Sequence, residues 1–209
     1  MDAAELLSVV RAELAPVERS LAEHRYLAEL EAGRVPVESL RVFAGEQRAI
    51  ITSDRRSFEH LAQRFPQPPA SGFFRDLAAG EAEALRLLAR FAAAVELGPD
   101  YEPLAGCQAY PAYVAWLALN GSRADVALAF LANLAAWGDN CARMAGALRG
   151  HDTAFFDFFA EPATGFEDRA LAVADEGLAA GESPERARRA ARFLQAYELL
   201  FWDTLADEL

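Results

Sequence analysis

The sequence contains no lysine, because each of its 20 basic residues is an arginine. A lysine amine is needed to form a Schiff base with a carbonyl substrate or with pyridoxal phosphate, so that group of enzymes is excluded. Cysteine is also scarce, and the two that are present, Cys107 and Cys141, lack the spacing of a metal-binding motif. We therefore expect two reduced, buried thiols and no disulfide.

Long apolar runs are absent as well. Apolar residues make up 53% of the chain, but charged residues interrupt every apolar run before it reaches the roughly 20 residues that span a bilayer. We therefore expect no membrane-spanning segment. Residues 1–5 are acidic where a secretory signal would be basic, which predicts a cytoplasmic location. A net charge of −12 repels nucleic-acid phosphates, so no DNA or RNA partner is expected.

The few histidines do not form a metal-binding pattern. His24, His60 and His151 lie on separate segments, and none belongs to a paired histidine–carboxylate motif. Iron and zinc sites normally need such a set of ligands. The sequence therefore predicts neither a metal site nor another cofactor.

Apolar residues recur at helical spacing along nearly the whole chain, and no segment shows the two-residue alternation of half-buried strands. This pattern predicts an all-α fold of seven or eight helices in a single domain over residues 1–209. Prolines, glycines and capping residues mark the helix ends. The predicted helices cover about 2–31 with a bend or break at Pro16, then 37–64, 73–97, a segment around Tyr110, 123–148, a short aromatic segment at 155–159, 166–179, and from Pro184 to about Leu205.

The last predicted helix carries a carboxylate inside its apolar stripe. Leu194, Glu198 and Phe201 are spaced four and three residues apart, so Glu198 shares the core-facing side. Burial raises the pKa of a carboxyl unless donors compensate, and such a group suits acid or base chemistry or a polar ligand. Glu198 is therefore the candidate catalytic residue. A structural carboxylate bonded to a neighbouring tyrosine or arginine would give the same pattern.

The helix over 37–64 carries polar residues that can line a cavity. Glu46, Ile50 and Ser53 are four and three residues apart, so they share one face of the helix. Ile50 is predicted to face the core. Charged residues on helices are more often exposed, so a solvated or packing role is the commoner explanation. Glu46 and Ser53 are therefore candidates for ligand contacts only if this face of the helix lines a cavity.

The helix over 123–148 has a mixed polar and aromatic face. This face carries Asn133, Trp137, Asn140 and Cys141, and we expect Asp139 to pair with Arg143 one turn later. The asparagines can belong to a pocket wall, and polar contacts between packed helices explain the same pattern. Cys141 has no histidine near it in the sequence and is predicted to be a core residue.

Three segments of the chain are similar to the TenA family. HRYLAELEAGRVP at 24–36 resembles the family's opening signature, AYPAY at 109–113 resembles its Ala-Tyr-x-x-Tyr motif, and ELLFWD at 198–203 resembles its C-terminal Glu-x-x-Phe-Trp motif. Phe43 joins them in the second long helix. These landmarks appear in the family's order across almost the whole chain.

The resemblance implies a haem-oxygenase-like helical bundle with a buried cavity, assembled as a homodimer or homotetramer. The best-known members hydrolyse aminopyrimidines or thiamin with a cysteine nucleophile, which implies a link to thiamin metabolism. By position, Tyr110 and Glu198 match the family's pocket tyrosine and glutamate. Trp137 matches the tryptophan that follows the nucleophile by two residues.

Four pocket positions depart from the family pattern. The nucleophile falls at Ala135, the aspartate of the second helix at Ile50, and two tyrosines at Ser53 and Asp139. An alanine cannot supply the thiolate for covalent hydrolysis, and Cys141 lies more than one helical turn further on. We therefore do not expect ordinary cysteine-dependent thiaminase activity.

The leading interpretation is a divergent TenA-like protein that binds a small, heteroaromatic ligand in a buried cavity, with Glu198 as the acid or base. The candidate ligand-binding residues are Tyr110, Trp137, Asp139, Ser53 and Glu46. The sequence leaves open whether the ligand is turned over. It also leaves two alternatives open, which are an oxidoreductase of the quinone-cofactor-synthase-like or iron-dependent branch of the same fold, and a non-catalytic regulatory or scaffold protein.

Overall fold

The computed structural model describes residues 1–161 and 163–209, and these residues form helices joined by short connections. The helices are α1 (Ala3–Ala22), α2 (Arg25–Glu31), α3 (Val37–Arg64), α4 (Ala70–Ala94), α5 (Ala105–Asn120), α6 (Arg123–Ala147), α7 (Ala154–Ala160), α8 (Phe166–Ala179) and α9 (Pro184–Asp207). The all-α prediction is confirmed. None of the described helices combines the length and the apolar character needed to cross a membrane.

The first predicted helix is two helices, so the described residues contain nine rather than seven or eight. Pro16 lies inside α1 without ending it, and the break comes at Glu23 and His24. His24 has an extended backbone, and its Nδ1 accepts a hydrogen bond of 3.3 Å from the backbone N–H of Tyr26. This side-chain cap satisfies a free amide at the start of α2 and fixes the break there.

Local capping residues set the other helix ends. Ser122 accepts the backbone N–H of Asp125, whose carboxylate accepts the N–H of Ser122, and this reciprocal pair begins α6 as predicted. Ser183 caps α9 with Pro184 at its first position. Beyond α8, Gly181 takes a φ of 89°, a left-handed conformation that glycine adopts without a steric penalty.

Helix α6 lies at the centre of the bundle and packs against α1, α7, α8 and α9, while α3 packs against α4 and α5. The buried apolar side chains form two clusters. One includes Phe58, Phe74 and Phe130, and the other is built on Phe43 and Trp202. Tyr110 and Leu134 contact both clusters, so the junction between them is the place where a polar cavity can open.

Candidate functional site

A cavity lies at this junction, enclosed by α3, α4, α5, α6, α7 and α9. Its wall is formed by Gln47, Ile50, Ile51, Asp54, Glu81, Tyr110, Phe130, Asn133, Leu134, Trp137, Phe159, Glu198 and Phe201. The volume of the cavity is about 50 Å³. One water molecule needs roughly 10–15 Å³. The cavity therefore has room for a few waters, and a ring the size of benzene, which binds in a cavity of about 150 Å³, would have to displace side chains of the wall.

Glu198 forms part of the cavity wall, and its side chain is held by two donors. It is 3% exposed, and its Oε1 accepts a hydrogen bond of 3.3 Å from the indole N–H of Trp202. Its Oε2 accepts a short hydrogen bond from the amide of Asn133. Burial raises the pKa of Glu198 to about 8, although the two hydrogen bonds act in the opposite direction. The carboxyl is therefore mostly protonated at neutral pH and can donate or accept a proton there.

Asn133 connects Glu198 to a tyrosine across the cavity. The Tyr110 hydroxyl donates to the Asn133 Oδ1 at 2.9 Å, and the Asn133 amide also donates to the Gln195 Oε1 at 3.0 Å. Burial, with the nearby carboxyls of Asp54 and Glu198, raises the pKa of Tyr110 well above its usual value. Tyr110 thus stays protonated, and the asparagine amide has a fixed orientation toward Glu198.

Asp54 is a cavity residue that the sequence analysis missed. Its side chain is 3% exposed, and within the described residues its Oδ1 has no hydrogen-bond partner. Burial, together with the nearby charge of Glu81, raises its pKa well above the usual value. A buried acceptor without a partner is rare in folded proteins and indicates a position that a ligand or ordered water completes.

Glu81 is a second missed residue, and it lies where the cavity meets an outer recess. The recess measures about 320 Å³ and shares Glu81, Leu134 and Phe159 with the cavity wall. Glu81 is partly exposed, and burial raises its pKa to about 8. Glu81, Leu134 and Phe159 are therefore common to the wall of the cavity and to that of a larger, mostly apolar recess.

The aromatic wall depends on a glycine in α6. Trp137 lines the cavity and packs against Phe159 and Trp202, with ring centroids 5.8 and 5.9 Å apart. A methyl group at Gly138 would lie only 2.9 Å from the carbonyl oxygen of Phe159. Because Gly138 lacks a side chain, α7 can approach α6 closely enough for Phe159 to cover the cavity.

The structure places Glu46 away from the cavity. Glu46 is fully buried, and it accepts hydrogen bonds of 2.6 Å from the Tyr101 hydroxyl, 2.6 Å from the Leu104 backbone N–H and 3.3 Å from the Gln108 amide. These partners belong to the connection before α5 and to α5 itself. The carboxylate thus attaches α3 to α5 and to the connection before it.

Ser53 and Asp139 also lie outside the cavity. Ser53 lines an open groove between α3 and α5, and Asp139 is exposed on the outer face of α6. The predicted ion pair between Asp139 and Arg143 is wrong, because Arg143 binds the carboxylate of Glu31 on α2. Contacts between helices determine where Ser53 and Asp139 lie and which carboxylate Arg143 binds. The spacing of residues within one helix does not reveal such contacts.

Ala135, the position that the resemblance gives to the nucleophile, lies outside the cavity wall. Ala135 is exposed beside Asp139, whereas Asn133 and Trp137, also four residues apart, face the cavity. Of the α6 positions that the resemblance matched to the family, Trp137 therefore lies in the cavity wall, while Ala135 and Asp139 lie outside it. Cys141 is fully buried, and burial raises its pKa well above the usual value.

The opening segment has a structural role. The His24 Nε2 lies 3.1 Å from the Asp203 carboxylate, and the ring packs near Trp202. Among the described residues, no group of three or more histidine, cysteine, aspartate or glutamate side chains is arranged to hold a metal ion. His24 thus connects the first two helices to α9 rather than lining the cavity.

These features define a helical-bundle protein with a small, acidic and aromatic cavity in its core. The sequence profile of the TENA/THI-4/PQQC family matches residues 11–208, so the chain belongs to this family. A comparison with curated proteins gave no match.

Solved structures of TenA homologues share the fold. A TenA homologue from Pyrococcus furiosus superposes with a TM-score of 0.77 at 17% identity, covering 96% of this chain and 99% of that one. A TenA homologue from P. horikoshii OT3 gives 0.76 at 15%, with 96% and 97% covered. A TenA family transcription regulator from Silicibacter sp. TM1040 gives 0.73 at 17%, with 96% of each chain covered.

Proposed function

We propose that the protein binds a small heteroaromatic molecule in the core cavity, with Glu198 as the group that exchanges a proton with it. The observation that carries this proposal is the set of polar groups facing one enclosed space between aromatic side chains. Glu198, Tyr110 and Asn133 are held in one hydrogen-bonded network, while Asp54 lines the same space and its buried Oδ1 has no hydrogen-bond partner among the described residues. Apolar pockets with a few oriented polar groups are the usual form of a small-molecule site.

Cysteine-dependent hydrolysis is not part of this proposal. A nucleophilic thiol must reach the ligand and ionise readily. The α6 side chains at the cavity wall include Asn133 and Trp137, and neither can attack a ring carbon. Cys141 is fully buried, with a pKa raised by burial and by the nearby Glu198. The chemistry that we propose for any turnover is therefore acid or base chemistry at Glu198.

Thermal unfolding with a panel of aminopyrimidines, thiamin and quinones tests the binding site. We expect at least one of these classes to raise Tm, because a ligand at 100 times its Kd stabilises the native state by about 2.7 kcal/mol. Ile50→Phe would fill the cavity from α3 and should abolish the increase. Ser53→Ala, in the outer groove of the same helix, should retain it. A ligand that stabilised both variants equally would contradict the proposed site, and no stabilisation by any class would favour a scaffold protein.

We further propose that the protein assembles with a second copy of itself through an aromatic strip on α5 and α9. The strip comprises Tyr113, Trp116, Phe193, Tyr197 and Leu200. Tyr113 stacks on Trp116 at 5.8 Å and contacts Phe193 and Tyr197, while Trp116 and Phe193 are each 47% exposed. Apart from its two tyrosines, helix α5 carries only two polar side chains, Gln108 and Asn120, so it has no polar face to present to water. A contiguous apolar patch of this kind is typical of a protein interface.

Light scattering after size-exclusion chromatography tests the assembly. The wild-type protein should elute as a dimer or tetramer, and Trp116→Glu should shift it toward the monomer, because a two-fold interface places the new charge against its own copy. Val9→Glu on α1, at another exposed apolar position, is the matched control and should leave the mass unchanged. A wild-type protein that is monomeric at tens of micromolar would contradict the proposal.

A further inference from the structure

The open groove between α3 and α5 carries positive charge on a protein whose net charge is −12. It measures about 680 Å³, and its wall contains the guanidinium groups of Arg48 and Arg56 and the imidazole of His60, all from α3. Among the described residues, no carboxylate belongs to this wall. A cleft lined by charge of one sign attracts ligands of the opposite sign. We call this feature the basic groove.

The protein does not neutralise either arginine of the basic groove. Arg48 donates one long hydrogen bond of 3.4 Å to the carbonyl oxygen of Gly98, and neither Arg48 nor Arg56 forms an ion pair within the described part of the chain. Glu59, three residues after Arg56, binds Arg55 instead. Because a guanidinium group has five N–H donors, most donors of both arginines are available to an anion.

The spacing of the two arginines suits one anion between them. Arg48 and Arg56 are eight residues apart, which is about 12 Å along a helix. Thr52 and Ser53 lie midway and belong to the same wall. The Thr52 hydroxyl donates to the Arg48 carbonyl oxygen at 2.6 Å, whereas the Ser53 hydroxyl makes no hydrogen bond to any described residue. Two guanidinium groups, each of which matches the oxygens of a phosphate, can thus converge above a hydroxyl that is free to donate.

The rest of the wall is mostly apolar and is held in place. Tyr101 lies so close to α3 that a methyl group at Gly45 would overlap its ring, and its hydroxyl donates to Glu46 at 2.6 Å. The side of α5 contributes Ala115, Ala118 and Leu119. Leu119 is 64% exposed, and covering such apolar surface is favourable. Inorganic phosphate would leave this surface in water, so the groove suits a phosphate that is attached to an organic group.

We propose that the basic groove is a second binding site, which takes a small phosphate ester. The phosphate binds between the guanidinium groups of Arg48 and Arg56 and accepts a hydrogen bond from Ser53. The organic group lies against Tyr101 and Leu119. In the described part of the chain, the groove and the core cavity have no wall residue in common. The inference therefore goes beyond the proposed function and does not depend on it.

Calorimetric titration with three matched probes tests the site. Phenyl phosphate carries both parts of the ligand, phenol lacks the phosphate, and inorganic phosphate lacks the ring. We expect phenyl phosphate to bind at least about tenfold more tightly than either of the others, because charge-assisted hydrogen bonds and the covered ring both contribute. Raising the salt concentration from about 50 to about 500 mM should weaken this binding several-fold, because charges in an open groove are screened.

Variants assign the binding to the basic groove. Arg48→Gln and Arg56→Gln should each reduce the affinity for phenyl phosphate about tenfold, because each removes one guanidinium partner of the phosphate. Arg55→Gln is the matched control, since it removes the same charge from the next position of α3, where the side chain lies outside the groove and binds Glu59. It should leave the affinity within about twofold. Arg56 is exposed, so Arg56→Gln decides the test if Arg48→Gln does not fold.

Each outcome supports or overturns the inference. Preference for phenyl phosphate in the wild type and in Arg55→Gln that is lost in Arg48→Gln or Arg56→Gln supports it. Phenol or inorganic phosphate that binds as tightly as phenyl phosphate overturns it, and so does equal affinity in the groove variants and the control. Binding of none of the three probes also overturns it, while the separate thermal-unfolding panel decides the proposed function of the core cavity.

Discussion

The Glu198→Gln variant is expected to lose less stability than the wild-type protein when the pH rises from about 4.5 to about 8. The ordinary pKa of a glutamate is 4.5, and burial raises that of Glu198 to about 8. Below pH 4.5 the group is protonated in both the folded and unfolded states. Between the two values the unfolded state releases its proton while the folded state retains it, so the free energy of unfolding falls.

The size of this effect follows from the two pKa values. One unit of difference corresponds to about 1.4 kcal/mol, so Glu198 should cost the wild-type protein about 3–5 kcal/mol of stability by pH 8. Glutamine has no proton to lose, but it has one acceptor fewer for the donors on Asn133 and Trp202, which costs about 1–3 kcal/mol at every pH. The variant should therefore be less stable than the wild type at pH 5 and equal or more stable at pH 9.

Urea unfolding at five pH values between 5 and 9 measures this difference. Asp54 and Glu81 also have raised pKa values, so the variant should retain part of the wild-type decline. The surface variant Glu83→Gln controls for the loss of one negative charge. If the free energy of unfolding falls with pH equally in the wild type and in Glu198→Gln, Glu198 ionises with an ordinary pKa. The proposal that Glu198 is protonated in the folded protein at neutral pH would then be wrong.

Trp202→Ala is expected to destabilise the protein by about 3–5 kcal/mol. Trp202 is fully buried, and its ring packs against Tyr26, Phe43, Trp137 and Phe201. Removing it leaves a cavity between α2, α3, α6 and α9 that the surrounding rings can fill only in part. Urea unfolding at pH 6, where Glu198 is protonated, isolates this packing effect from the ionisation of the carboxyl.

Trp202→Phe separates the packing role of the ring from its hydrogen bond. Phenylalanine keeps most of the contacts but cannot donate to the Glu198 Oε1. That hydrogen bond lowers the pKa of Glu198, so its loss should move the ionisation of the carboxyl to higher pH. A pH-dependent decline in stability that levels off at the same pH in the wild type and in Trp202→Phe would contradict the assigned contact.

The helix ends were predictable because local residues determine them. Ser122 and Ser183 satisfy free amides within one turn, and α3 and α8 have the bounds that the sequence predicts. The break before α2 was placed at Pro16 because proline is the more conspicuous signal. The cap at His24 has a weaker signature, since histidine is an uncommon capping residue and its partner Asp203 lies on the last helix.

The acidic character of the cavity was only partly predicted. The sequence nevertheless contains three carboxylates that interrupt the apolar stripe of a helix. Glu198 was identified because it interrupts the apolar stripe of α9. Asp54 lies between Ile51 and Phe58 on the buried side of α3, and Glu81 precedes the buried Ala84 on α4 in the same manner. The spacing that identifies Glu198 therefore identifies Asp54 and Glu81 as well.

The remaining site assignments depended on contacts that one sequence cannot supply. Glu46 is buried, but it faces the connection before α5, which is more than 50 residues away in the chain. The resemblance matches Ser53 and Asp139 to pocket tyrosines, but Ser53 faces the outer groove between α3 and α5, and Asp139 is exposed on α6. The packing of α6 against α1, α7, α8 and α9 decides which of its faces is buried.

A crystal structure of the protein with the most stabilising ligand of the thermal panel tests the central claim most directly. We predict that the ligand lies in the core cavity, with polar atoms within about 3 Å of the carboxyl groups of Asp54 and Glu198 and with its ring against Trp137. A ligand bound in the outer groove between α3 and α5, with only water in the core cavity, would contradict the account.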